Sequence, residues 1–265
     1  MDNPAGAAAW NSGESYDLYM GRWSRLVAAR FLAWLGPPRG ASWLEVGCGT
    51  GALSRTILTE ADPASLLCVE PSEGFLAHVR TTLRDPRVRF ERGSAEALPI
   101  DSASLDVVAS GLVLNFVPDR ERALREMQRV LRPGGLVGFY VWDYPNGGMG
   151  FIDAFWKAAA AIGIAEAAEA QRFPFCTRDG LLDLCHASGL GAAVCTQVEV
   201  LTEFPSFEAF WHPFTLGTGP APAFCMNLPE ERRAILKARL ARDLGTDGAI
   251  RLPARAWAVK AAAVG

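Results

Sequence analysis

Lysine is nearly missing from this sequence: Lys157, Lys237 and Lys260 are its only ones, and arginine supplies the rest of the 26 basic residues. We read that bias as coding composition rather than as a recognition device. Acidic residues number 29, the formal net charge is -3 and the pI is near 5.7. No Lys/Arg run and no interleaved aromatic stripe is present to follow a phosphate backbone, which argues against a nucleic-acid partner. The six cysteines form no C-x-x-C pair, and no Cys/His/carboxylate group has metal-ligand spacing, so reduced thiols and no metal are expected. The start "MDNPAGAAAW" lacks a basic stretch and an apolar core of export type. The apolar-looking "FIDAFWKAAAAIGIAEAAEA" is interrupted by Asp153, Lys157, Glu166 and Glu169. Neither export nor a membrane span is therefore expected, and a cytoplasmic location is. Internal repeats and low-complexity linkers are also missing, which leaves one domain over residues 1–265.

What is present is alternation. The short apolar runs "SWLEVGC", "SLLCVE", "VRFERG", "SLDVVAS" and "GLVGFYVWDY" are separated by amphipathic segments, the pattern of a doubly wound, mostly parallel α/β sheet. Ser72 stands as an N-cap before Phe75, Leu76, Val79 and Leu83 at helical spacing. A second helix is expected from Asp119, with Leu124, Met127 and Leu131 on one face, stopped by "RPGG" at 132–135. The late runs "AAVCTQVEVLTEF" and "ARAWAVKAAAV" are expected as an antiparallel edge pair that completes a seven-stranded sheet. Residues 145–178 read as a helical cap over the strand ends, and 1–36 as an N-terminal lid segment.

Three glycines, Gly47, Gly49 and Gly51, follow the first run and precede a helix, a place where ligands approach the backbone closely. Their G-x-G-x-G spacing departs from the G-x-G-x-x-G of dinucleotide binding. Glu45 would repel a diphosphate and attract an ammonium or sulfonium group. Glu70 ends the second strand, where a carboxylate accepts hydrogen bonds from ribose hydroxyls.

With "LEVGCGTG", "VEPS", "GSAEALP", "LDVVAS" and "EMQRVLRPGG" in order, the chain from about Tyr16 to Val264 resembles class I S-adenosylmethionine-dependent methyltransferases, of the small-molecule branch with ubiquinone-biosynthesis-like members. The resemblance implies a Rossmann-like fold and S-adenosylmethionine as cofactor. It places Glu45, Gly47, Cys48, Gly49 and Gly51 at the methionine part, Glu70 at the ribose and Pro71 beside the adenine. Ser94, Ala95 and Glu96 would line the adenine edge, with Ser94 standing where the family usually has Asp. Ser110 and Leu112 would lie beneath the sulfonium, and Tyr19 and Arg22 would cover the cofactor. Asn115, Phe116, Trp142 and Tyr144 at the fourth and fifth strand ends, with His212 from an aromatic-rich stretch, are the expected substrate residues. A small-molecule methyltransferase that needs no dedicated catalytic residue is the first functional reading. A non-catalytic adenosyl-binding subunit is the second, and an NAD-dependent oxidoreductase is disfavoured by Glu45 and the glycine spacing. The acceptor and the oligomeric state are not set by the sequence.

Overall fold

Seven extended runs lie side by side in a computed structural model that describes residues 17–164, 169–217 and 219–263. They are β1 (Ser42–Val46), β2 (Ser65–Glu70), β3 (Val88–Arg92), β4 (Leu105–Gly111), β5 (Leu131–Trp142), β6 (Val194–Phe204) and β7 (Ile250–Ala262), in the order β3-β2-β1-β4-β5-β7-β6. Strands β1 to β5 run parallel, and β7 is antiparallel to both β5 and β6. The expected fold class, mostly parallel with an antiparallel edge pair, is what the structure shows. β1 and β4 are almost wholly buried, as parallel strands covered on both faces must be. The chain leaves β1 in one direction toward β2 and β3, then returns to β4 on its other side. This reversal opens a crevice at the carboxyl ends of β1 and β4.

Helices cover the sheet where their apolar faces require it. α1 (Arg22–Leu35) buries Val27, Ala28 and Phe31, the last with its ring 4.8 Å from Tyr140. Residues 22–35 of the expected N-terminal lid segment form this helix and pack one face into the core; residues 1–16 lie outside the described residues. α2 (Ala52–Thr56) continues as a π-helical turn to Ala61. α3 (Glu73–Thr82) is capped by Ser72, whose hydroxyl accepts from the Phe75 N–H at 3.4 Å.

α4 (Arg120–Arg129) is capped by Asp119 and buries Ala123, Leu124 and Met127. Leu131, expected on the same face, instead opens β5. It pairs with Leu105, after which the register jumps to Val107 opposite Leu136, so Arg132–Gly135 bulge out of the ladder. Asp106, on the facing strand, holds this bulge: it takes the Arg132 guanidinium and accepts from the Ser42 N–H at 2.8 Å. The helix stops before the proline, and strand pairing captures the leucine.

The segment 145–178, expected as a cap, holds α5 (Gly150–Ala161) and α6 (Glu169–Arg172) and ends where α7 (Arg178–Ala187) begins; residues 165–168 of it lie outside the described residues. α8 (Phe207–Trp211), a 3-10 turn at His212–Thr215, α9 (Pro220–Asn227) and α10 (Glu230–Leu244) then lead into β7. That strand begins four residues before the expected run, because β6 outreaches β5 and pairs with it from Phe204 opposite Ile250.

Candidate cofactor and acceptor site

The turn after β1 needs its glycines for separate reasons. Gly47 has φ 76, and a Cβ there would lie 2.5 Å from the Val113 side chain. Gly51 has φ 84, and its Cβ would meet Val79 at 2.8 Å and Arg55 at 2.9 Å. Both positions are closed by packing and by backbone conformation. Gly49, with φ 51, faces open space: a Cβ there meets nothing within 4 Å. The turn is fastened to β2, since the Gly47 N–H donates to the Val69 carbonyl at 2.7 Å, and the Gly51 N–H closes onto the Cys48 carbonyl at 2.8 Å.

Glu70 borders the open space over Gly49. One carboxylate oxygen accepts from the Gly49 N–H and the other from the Ser72 N–H, each at 3.0 Å, and the residue is 6% exposed. Burial pushes its pKa up, and the two backbone donors pull against that. Each oxygen keeps a lone pair for a further donor.

Glu45 sits beneath the turn and is 1% exposed. The Ser54 hydroxyl from α2 donates to it, and the Cys68 thiol lies 3.8 Å from the same oxygen. Desolvation raises its pKa to about 8 despite both contacts, so the group is a neutral acid over most of the neutral range. An approaching cation would favour its ionised form.

On the other wall of the crevice, the Ser110 hydroxyl donates to the Val46 carbonyl at 2.8 Å and ties β4 to β1. Leu112 has φ 62, a left-handed conformation that is strained for leucine, and its N–H donates to the Tyr140 carbonyl at 2.8 Å. This backbone reversal drives Val113 against Gly47. Sequence reasoning missed Val113, since an isolated valine carries no local signal.

At the adenine side, the Ser94 hydroxyl accepts from the Glu96 N–H at 3.2 Å and lies 3.4 Å from the Glu96 carboxylate. The serine is thus engaged in its own turn. Glu96 in turn accepts from the Asp119 N–H at 2.8 Å, Ala95 is buried and Pro71 is exposed.

The remaining candidates divide. The Phe116 and Tyr144 rings both stand 5.3 Å from Phe173, so one aromatic side chain bridges the segments that follow β4 and β5. Arg120 adds to this bridge: its guanidinium lies 4.1 Å over Phe175, and its Nε donates to the Leu114 carbonyl at 3.2 Å. Asn115 is buried, with an Nδ2 that has no hydrogen-bond partner. Trp142 is a core side chain, and His212 is exposed, apart from this group. Tyr19 is buried with its ring 5.4 Å from Phe151 and 6.3 Å from Phe214, while the Arg22 guanidinium lies over Trp23 and Phe204 at 4.2 and 4.8 Å. The structure therefore gathers these two in the aromatic cluster where α1, α5 and β6 meet. Among the described residues no group of three or more His, Cys, Asp or Glu could hold a metal ion, and no helix is long and apolar enough to cross a membrane.

The buried acids, the open backbone at Gly49 and the tethered turn fit an adenosyl ligand bearing a cationic methionine part. Residues 44–139 match the family described as methyltransferase domain. The chain is 32% identical over 147 residues to human thiol S-methyltransferase TMT1A, covering 54% of this chain and 58% of that protein. It is 37% identical over 105 residues to the ubiquinone/menaquinone biosynthesis C-methyltransferase UbiE of Hahella chejuensis, covering 38% and 42%. The chain thus spans about half the length of the curated relatives it matches. Among solved structures, the [4+2]-cyclase SpnF shares the fold with a TM-score of 0.55 at 20% identity, over 92% of this chain and 81% of that one. The sheet order, the glycine turn and these matches agree on a Rossmann-like methyltransferase fold, with the methyltransferase-domain match lying over the first part of the sheet, residues 44–139.

Proposed function

We propose that this protein methylates a small-molecule acceptor by in-line displacement, with the cofactor held at the β1 and β2 ends and the acceptor under the cap. The observation that carries this reading is the pair of buried carboxylates on either side of an open glycine backbone: Glu45 beneath the turn and Glu70 at its rim. When bound, S-adenosylmethionine supplies a methyl group already activated by its sulfonium. Glu70 would accept the ribose hydroxyls on its remaining lone pairs. Glu45 would ionise toward the methionine part, and the Ala95 N–H with Glu96 would border the adenine. Phe116, Phe173 and Tyr144 would exclude water from the acceptor, and orientation with desolvation can supply several kcal/mol, up to about 10, without a dedicated base. The net acidic charge favours a small acceptor over a polyanion.

The relatives named above carry S- and C-methyltransferase names, so the domain itself does not select the accepting atom. A fold shared with a cyclase supports keeping the second reading, an adenosyl-binding protein that does not transfer the methyl group. Formation of S-adenosylhomocysteine from S-adenosylmethionine, measured against fractionated metabolite extracts, separates the two. Acceptor-dependent product is expected; tight cofactor binding with no product from any fraction would favour the non-catalytic reading.

A further inference from the structure

Beyond the end of β5 the cap encloses a cavity of about 40 Å³, lined among others by Tyr144, Met149, Ile152, Asp153, Trp156 and Glu169. That volume suits one small polar head rather than a whole metabolite. Glu169 is 2% exposed, and the Trp156 indole N–H donates to its Oε2, while Oε1 has no hydrogen-bond partner. An unsatisfied oxygen on a buried carboxyl group is costly, and the sheet and helix ladders give it no structural task. Among the described residues two acids line the cavity and no lysine, arginine or histidine does. Lys157 pairs with Asp153 at 2.7 Å, but its side chain is 75% exposed and places its charge in solvent. Arg172 on α6 and the Ala221 N–H favour the Glu169 carboxylate, yet burial outweighs them and pushes its pKa up. The site is built to receive a donor of positive charge: an anion would be repelled, and a neutral hydroxyl would satisfy the lone pair without compensating the charge.

We propose that this cavity is an ammonium subsite in which the unpartnered oxygen of Glu169 receives a cationic head of the acceptor. The proposal rests on the methyltransferase reading for calling the guest an acceptor, whereas the cation preference stands on the cavity itself. Attraction of an ammonium group to a desolvated carboxylate discriminates against isosteric neutral groups. Neither Glu169 nor Trp156 is marked by a local sequence signal, since they are thirteen positions apart in an alanine-rich stretch.

The test uses n-butylammonium, n-butanol and butyrate as probes, titrated by ligand-observed NMR into the full chain, both empty and saturated with S-adenosylhomocysteine. Butylammonium is expected to bind at least tenfold more tightly than butanol, and butyrate not at all. Glu169→Gln, which keeps the Trp156 hydrogen bond, should reduce ammonium binding to the butanol level while leaving S-adenosylhomocysteine affinity unchanged. Should that variant fold poorly, the wild-type Trp156 indole N–H resonance, assigned with Trp156→Phe, serves instead: it should move with butylammonium and stay with butanol. Equal binding of ammonium and alcohol, an undiminished cation preference in Glu169→Gln, or an indole resonance indifferent to butylammonium would overturn the proposal. Failure to bind S-adenosylhomocysteine would defeat the methyltransferase reading alone, because the empty-protein arm reports the cavity independently.

Discussion

The glycine turn and the cap both bury carboxyl groups, but they support them differently. At the turn, Glu70 is held by two backbone N–H groups and Glu45 by a serine and a thiol, all between β1 and the start of α3. In the cap, Glu169 has one indole donor and an open oxygen. The turn is preformed by the backbone and needs a ligand only to complete its charge balance. The cap is packed by side chains from distant segments, Phe116, Tyr144 and Phe173 among them, and it leaves a polar group unanswered. A cofactor common to a family calls for the first arrangement, and an acceptor peculiar to one protein for the second.

The largest expected effect separates the two regions by pH. Glu45 has a folded pKa of about 8 against an ordinary 4.5. The folded state therefore binds more protons than the unfolded chain between those values, and the empty protein should lose stability as pH rises through that window, approaching about 1.4 kcal/mol per pH unit at most. Urea denaturation from pH 5 to 8 checks this, and Glu45→Gln should flatten the slope. A wild-type slope that survives the substitution would move the effect to Glu169 or elsewhere.

Next come the glycines of the turn. Gly47→Ala should cost roughly 2–4 kcal/mol of stability, from a left-handed alanine plus the overlap with Val113. Gly49→Ala should cost about 1–2 kcal/mol from conformation alone, and it should weaken S-adenosylhomocysteine binding because its methyl enters the open space. The double variant Gly47→Ala/Val113→Ala should recover only the overlap part. Equal costs at Gly47 and Gly49 would remove the distinction between a packed and a ligand-facing glycine.

Glu70→Ala should weaken cofactor binding by about 2–3 kcal/mol, the level of hydrogen bonds to a charged acceptor. Calorimetry reads this directly, and an unchanged dissociation constant would displace Glu70 from the ribose. The smallest effect is expected at Ser94: Ser94→Ala should lower stability by about 0.5–1 kcal/mol through the lost turn contact and leave cofactor affinity unaltered. A clear loss of affinity would return the hydroxyl to the adenine edge.

The same contrast explains what could be read from the sequence. Gly47, Gly51, Glu45 and Glu70 are legible because a strand, a turn and a helix N-terminus within thirty residues impose their residue types locally. The mostly parallel fold class follows from the alternation of apolar runs with amphipathic segments. Leu131 was misplaced because helix and strand compete for the same apolar residue at a boundary, and only its pairing with Leu105 decides. Tyr19 and Arg22 fit a lid pattern in sequence, yet in three dimensions their rings and charge meet Phe151, Phe204 and Phe214, partners more than a hundred residues away. The strained Leu112 and the half-satisfied Glu169 carry no pattern at all, since each is defined by what folds against it.

Calorimetric titration of the purified chain with S-adenosylhomocysteine at pH 7, repeated in two buffers of different ionisation enthalpy, tests the central claim most directly. The account predicts a single micromolar site whose occupation raises the melting temperature, with protons released as the Glu45 carboxyl group ionises toward the methionine part. No heat and no thermal shift in either buffer would contradict it.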